Sequence, residues 1–130
     1  MKYRILVIDD HLPNLTLTKA VLEAGGYEVT TAEDAEGAQE MLGGLTPDLV
    51  LVDIALPGMN GLAFTRWLKA DARLREIPVL ALTAFAMAGD EVRALEAGCQ
   101  GYITKPIDIH ALLRLVAQVL RIETPGPAAA

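Results

Sequence analysis

Five residues could do chemistry together. Asp9 and Asp10 follow a short apolar run, Asp53 ends a second, Thr83 ends a third, and Lys105 precedes Pro106 just after a fourth. If those runs are parallel strands of one sheet, all five groups lie along one edge. Three carboxylates, a hydroxyl and an ammonium would then share a shallow cleft. Carboxylates that close repel one another, and a proton or a cation relieves the repulsion. A hard divalent ion with oxygen ligands answers this need, and Mg²⁺ suits few carboxylates supplemented by waters and phosphate oxygens. An ammonium is a point charge matched to a phosphate oxygen, and a carboxylate can act as a nucleophile to give an aspartyl-phosphate.

That edge exists only if the chain folds as alternating strands and helices, and its pattern has this form. Tyr3–Ile8 reads as a first strand, whose apolar run Ile5–Ile8 is of the kind buried on both faces of a parallel sheet. Pro13 opens a helix that runs to Ala24 and stops at Gly25-Gly26. Tyr27–Thr31 reads as a second strand, and Asp34 is placed to cap a helix that ends at Gly43-Gly44. Leu49–Asp53 is a third strand, Gly61–Ala70 a helix, and Pro78–Thr83 a fourth strand with proline at its tolerated first position. Ala88–Ala97 is a helix ended by Gly98, and Gly101–Thr104 a short fifth strand. The last helix spans Ile107 to Ile122, with Ile109, Leu112, Leu113, Val116 and Leu120 spaced as one core face. Residues 1–122 form one domain, and 123–130, rich in proline and alanine, form a tail without core-forming pattern.

Strict alternation of this kind implies an α/β fold, an open parallel sheet with helices on both faces and right-handed crossovers. Ligands in such folds bind beyond the carboxyl ends of the strands, where the strand order reverses. The five residues sit at those ends.

Composition narrows the function classes. The 130 residues are 52% hydrophobic, enough for a substantial core, and carry a net charge of −6. An acidic domain is poorly suited to nucleic-acid backbones, whose binding rests on Lys and Arg. One cysteine, Cys99, allows no internal disulfide and fits a reducing compartment. No secretory hydrophobic region and no run near the length of a membrane span is present, so a soluble cytoplasmic protein is expected.

The chain resembles the receiver domains of bacterial response regulators, the flavodoxin-like family of two-component signalling. The resemblance rests on Asp9-Asp10, Asp53, Leu56-Pro57-Gly58-Met59-Asn60-Gly61, Thr83-Ala84 and Lys105-Pro106. The separations are 30 residues from Asp53 to Thr83 and 22 from Thr83 to Lys105. Thr83-Ala84-Phe85-Ala86-Met87 and Gly98-Cys99 bring it nearer to the DivK-like single-domain regulators and to hybrid-kinase receivers. The resemblance implies a doubly wound (βα)5 fold with strand order 2-1-3-4-5. It implies that Asp53 accepts a phosphoryl group from a phosphohistidine on a histidine kinase or histidine phosphotransfer protein. Asp9, Asp10, Asp53 and the main-chain carbonyl of Ala55 would hold Mg²⁺. Lys105 would offset phosphoryl charge, aimed by a cis bond before Pro106. Thr83 would donate its hydroxyl to the phosphoryl group, with small Ala84 leaving room for it, and Tyr102 would turn inward as Thr83 moves. The last helix, the fifth strand and the helix before it would present the altered surface to an effector protein. A homodimer through the last helices is among the assemblies implied. Direct contact with nucleic acid or membrane is not.

Each residue also has an ordinary reading. Asp10 can cap the first helix, Lys105 can be a solvated loop lysine, and Tyr102 can simply be packed. His11 is expected to be exposed, His110 to lie in the first turn of the last helix without a chemical role, and Cys99 to be a semi-buried thiol. Trp67 is expected in packing, and Met59 and Met87 in loop structure or partner contact. Two other functions share the architecture. A haloacid-dehalogenase-type phosphohydrolase would need an acid two residues after Asp53, where Ala55 stands. A flavin or nucleotide module would want a glycine- or hydroxyl-rich loop after the first strand, where Asp9-Asp10-His11 stands. A signalling phosphoacceptor rather than a turnover enzyme is therefore expected.

Overall fold

The computed structural model describes residues 2–83 and 89–120. Five strands, β1 (Arg4–Ile8), β2 (Glu28–Ala32), β3 (Leu49–Asp53), β4 (Val79–Thr83) and β5 (Gly101–Thr104), form one parallel sheet in the order β2-β1-β3-β4-β5. The helices between and after them are α1 (Leu12–Ala24), α2 (Ala35–Met41), α3 (Gly61–Ala70), α4 (Asp90–Ala97) and α5 (Ile109–Leu120). Strand order reverses between β1 and β3, which places a crevice outside their carboxyl ends.

The period-two alternation of strand side chains divides the interior into two cores. Leu6, Ile8, Val50, Val52, Val79 and Ala81 pack against α2, α3 and α4 through residues such as Ala38, Phe64, Leu68 and Ala94. Ile5, Val7, Leu49, Leu51, Leu80 and Leu82 face α1 and α5 through Leu15, Leu22, Leu112 and Val116. Because both faces are covered, β3 and β4 are buried at every position, which is why these segments read as unbroken apolar runs.

Helix ends follow local chemistry. Asp34 caps α2 by accepting from the Gly37 N–H at 2.6 Å, and Asn60 caps α3 by accepting from Ala63 at 2.8 Å. Three expectations are corrected. Asp10 does not cap α1: the N-cap is His11, without a side-chain cap bond, and Pro13 relieves the need because it has no N–H to satisfy. The last helix begins at Ile109 rather than Ile107, because Asp108 accepts from Ala111 at 3.0 Å and stops the helix from extending backward. Ile109 in consequence lies at the first exposed turn, 43% accessible, and is not part of the core face. The second strand is displaced by one residue, with Tyr27 buried just ahead of it. The start of the helix expected at Ala88, together with Ala84, Met87 and the tail 123–130, lies outside the described residues. No helix among the described residues is long and apolar enough to cross a membrane.

Cys99 is a buried free thiol beside the Thr65 hydroxyl, and burial pushes its pKa up. Trp67 is half-buried and packs on Phe64 with ring centroids 5.7 Å apart. On the other face of the sheet, Thr18 of α1 is buried, and its hydroxyl has no hydrogen-bond partner among the described residues. A buried hydroxyl without a partner loses its hydration for nothing in return. Thr18→Val should therefore stabilise the protein by about 1 kcal/mol in urea unfolding; a loss of stability of that size would show that the hydroxyl is satisfied.

Candidate functional site

The sheet brings the five sequence-derived residues to one edge. Ile8 pairs with Val52 across β1 and β3, so the next residues, Asp9 and Asp53, stand side by side. The Asp9 N–H donates to the Ala32 carbonyl at 3.1 Å, which anchors this residue to the end of β2. On the other side of β3, Asp53 pairs with Leu82, and the Ile54 N–H donates to the Leu82 carbonyl at 3.0 Å. Thr83 pairs with Thr104, and the Lys105 N–H donates to the Thr83 carbonyl at 2.7 Å. The lysine is thereby delivered to the carboxylates from two strands away.

Their side chains form a compact ionic group. Lys105 Nζ donates to Asp53 Oδ2 at 2.7 Å and lies 3.1 Å from Asp9 Oδ2. Asp53 Oδ1 accepts from the Ala55 N–H at 2.8 Å, and Asp9 Oδ1 accepts from the His11 N–H at 2.9 Å. Each aspartate thus has one oxygen held by the loop that follows it and one facing the ammonium. Asp9 is fully buried, Asp53 is 4% and Thr83 4% accessible, while Asp10 and His11 are exposed. The peptide bond between Lys105 and Pro106 is cis.

Burial is the largest influence on Asp9 and raises its pKa; the His11 N–H and Lys105 lower it without cancelling the rise. Burial alone would lower Lys105, but its contacts with Asp53 and Asp9 outweigh that and hold the ammonium above its ordinary pKa. The lysine is therefore a cation at neutral pH, and burial opposes the charge on Asp9.

The donor set fits a hard divalent cation. Asp9, Asp10 and Asp53 can each offer a carboxylate oxygen within 4.8 Å of the others. Asp9 Oδ2, buried and close to Lys105, has no hydrogen bond in good geometry among the described residues. An unsaturated buried carboxylate oxygen among oxygen donors suits Mg²⁺ or Ca²⁺ rather than a soft metal.

Other expected residues lie at the margin. Tyr102 on β5 points outward, 37% accessible, and its hydroxyl donates to Glu91 Oε2 of α4, which raises the tyrosine pKa. Ala55 is exposed in the loop after β3. His110 is exposed in the first turn of α5. Gly61, quoted in the motif after β3 but given no role there, has one in the structure. Its backbone lies so close to the end of β3 that a Cβ there would stand 2.3 Å from the Asp53 carbonyl oxygen. A glycine directly after the Asn60 cap was the available signal.

Comparison with known proteins gives a consistent result. Residues 5–117 match the family model described as the response regulator receiver domain. The polar-differentiation response regulator DivK of Brucella anthropi is 40% identical over 120 residues, covering 92% of this chain and 98% of the relative. A response regulator structure from Chloroflexus aurantiacus superposes with a TM-score of 0.90 at 27% identity, covering 93% of this chain and 99% of the other. The receiver domain of a sensor histidine kinase from Pseudomonas aeruginosa, with a magnesium ion coordinated in its active-site cleft, superposes with a TM-score of 0.86. Its identity is 32%, and the match covers 93% of this chain and 99% of that one.

Two outcomes test the geometry. Gly61→Ala should lower stability by about 2–3 kcal/mol, since the new methyl must displace the backbone that carries Asp53; wild-type stability would mean that the loop yields freely. For Asp9, a folded pKa above the ordinary value of 3.8 means that the folded state binds the proton more tightly than the unfolded state. The charged form then disfavours folding above the folded pKa, and the penalty fades as pH falls toward 3.8. Asp9→Asn should raise the metal-free melting temperature at neutral pH, with the difference from wild type narrowing on acidification. A lower melting temperature at neutral pH would contradict this electrostatic reading.

Proposed function

The chain belongs to the response regulator receiver domain family, and from that premise we propose that Asp53 accepts a phosphoryl group from a phosphohistidine with the help of Mg²⁺. The observation that carries the proposal is the bridge of Lys105 Nζ between Asp53 Oδ2 at 2.7 Å and Asp9 Oδ2 at 3.1 Å. It supports a site that gathers negative charge and has a cation ready to offset it. The donor would be a histidine kinase or a histidine phosphotransfer protein. Kinase-borne receivers of similar structure support that class of partner.

In the proposed transfer an oxygen of Asp53 attacks phosphorus in line, the P–N bond to the donor imidazole, which carries a proton on its other ring nitrogen, breaks, and its electron pair returns to the ring. The product is an acyl phosphate on Asp53 and a neutral histidine on the donor. Catalysis of this step is chiefly positioning and charge neutralisation. Asp9, Asp10, Asp53 and the Ala55 carbonyl would hold Mg²⁺, which supplies positive charge to the phosphoryl oxygens when bound; the magnesium-bearing relative supports this choice of ion. Lys105 would exchange its contact with Asp53 for one with a phosphoryl oxygen, and Thr83 would donate its hydroxyl to another. Movement of Thr83 would draw Tyr102 away from Glu91 and change the face formed by α4, β5 and α5, which an effector or a second copy would read.

The family is one of signalling proteins, and in this reading Asp53 is a stoichiometric acceptor rather than a turnover catalyst. The reading also places the chain in the cytoplasm, where a buried free thiol such as Cys99 suits the reducing conditions.

Incubation with acetyl phosphate and Mg²⁺ should add one acid-stable, base-labile phosphoryl group, detected as a mass increase of the intact protein. Asp53→Asn and addition of a chelator should each abolish it. Labelling of the asparagine variant at the wild-type level would refute the assignment of Asp53, and labelling undiminished by chelator would refute the role of the metal.

A further inference from the structure

In the proposed reading the loop between β3 and α3 presents the Ala55 carbonyl to Mg²⁺, and its ends are tied by backbone hydrogen bonds. The Ile54 N–H donates to Leu82 at 3.0 Å, and the Gly61 N–H donates to Ile54 at 3.3 Å. Its middle, Pro57 and Gly58, is exposed, and Gly58 turns through the left-handed region at φ 70°. The sheet cannot hold that turn. The holding groups come from α2. Glu36 Oε2 accepts from the Met59 N–H at 3.3 Å and lies 3.2 Å from where a Cβ on Gly58 would stand. Gln39 donates Nε2 to Met59 Sδ at 3.5 Å. Glu36 and Gln39 are three residues apart and share one face of the helix. The Met59 side chain packs against the core between α2 and the sheet. One loop residue is thus gripped at its amide, its sulfur and its apolar surface, four residues after Ala55.

We propose that Glu36 and Gln39 are positioning residues for this loop and, through it, for the Ala55 carbonyl. The part of the proposal that concerns the carbonyl rests on the reading of Ala55 as a ligand to Mg²⁺. Glu36 acts as a hydrogen-bond acceptor: what the loop requires of it is an oxygen at the Met59 amide. Groups that orient a metal ligand commonly affect affinity by about ten- to a hundredfold when removed, and an exposed acceptor belongs at the low end.

The experiment uses the full chain and compares wild type, Glu36→Ala and Glu36→Gln. Exchange of the Met59 amide is followed by NMR without metal, and Mg²⁺ alone is titrated by calorimetry. Glu36→Ala should speed exchange at Met59 and weaken Mg²⁺ binding by about tenfold, at an unchanged melting temperature. Glu36→Gln, whose amide oxygen still accepts, should stay within about twofold of wild type in both measurements, since it removes the charge and keeps the bond. Wild-type exchange and affinity in Glu36→Ala would overturn the proposal. Equal weakening of Mg²⁺ binding in both variants would overturn it too, because charge rather than position would then be the cause. Failure of the wild type to bind Mg²⁺ would refute the metal reading, and Met59 exchange in Glu36→Ala would still decide whether Glu36 holds the loop.

Discussion

The site depends on one ammonium. Asp9 and Asp53 stand side by side at the ends of adjacent strands, both withdrawn from water, and two carboxylates so placed are unfavourable together. Lys105 reaches both of them. Its charge lets the carboxylates remain at the head of the crevice, and their charge in turn keeps the lysine protonated against the effect of burial. The arrangement is incomplete: burial still holds Asp9 above its ordinary pKa, and among the described residues one of its oxygens has no hydrogen bond in good geometry. That deficit is what an added cation would relieve.

The rest of the fold delivers those three residues to one place. Their parent strands are paired at each step, β1 to β3, β3 to β4 and β4 to β5, and the last two junctions carry a backbone hydrogen bond next to the site, from Ile54 to Leu82 and from Lys105 to Thr83. Two separate cores clamp the sheet from both faces. In the proposed reading a change at Asp53 would pass outward through Thr83 and β5, with the two cores left as they are. Tyr102, bonded to Glu91 of α4, would lie on that route.

Much of the architecture was legible in the chain itself. The buried strands announced themselves as apolar runs because a parallel sheet covered on both faces demands apolar residues at every position. Asp34 and the glycines that end helices were readable because caps are local chemistry. The misreadings were of another kind. Asp10 looked like a cap, but His11 takes that position because Asp9, bonded back to the His11 N–H, sets where the chain turns. Ile109 fitted the apolar spacing of α5, but the helix begins there, and its first turn overhangs the core. Periodicity reports which residues share a face and not whether that face reaches the interior.

The sequence by itself determined the alternation of strands and helices, the placement of Asp9, Asp10, Asp53, Thr83 and Lys105 at strand ends, and the family resemblance they carry. These follow from local pattern and spacing. Only the tertiary structure decided that Lys105 touches Asp53 and Asp9 at once, that Asp9 is the fully buried member of the acidic pair while Asp10 is exposed, and that Gly61 must be bare to let α3 approach Asp53. It also decided that α2 grips the loop after β3. These contacts join residues far apart in the chain, and strand register and helix packing set their distances. No spacing along a single sequence encodes them.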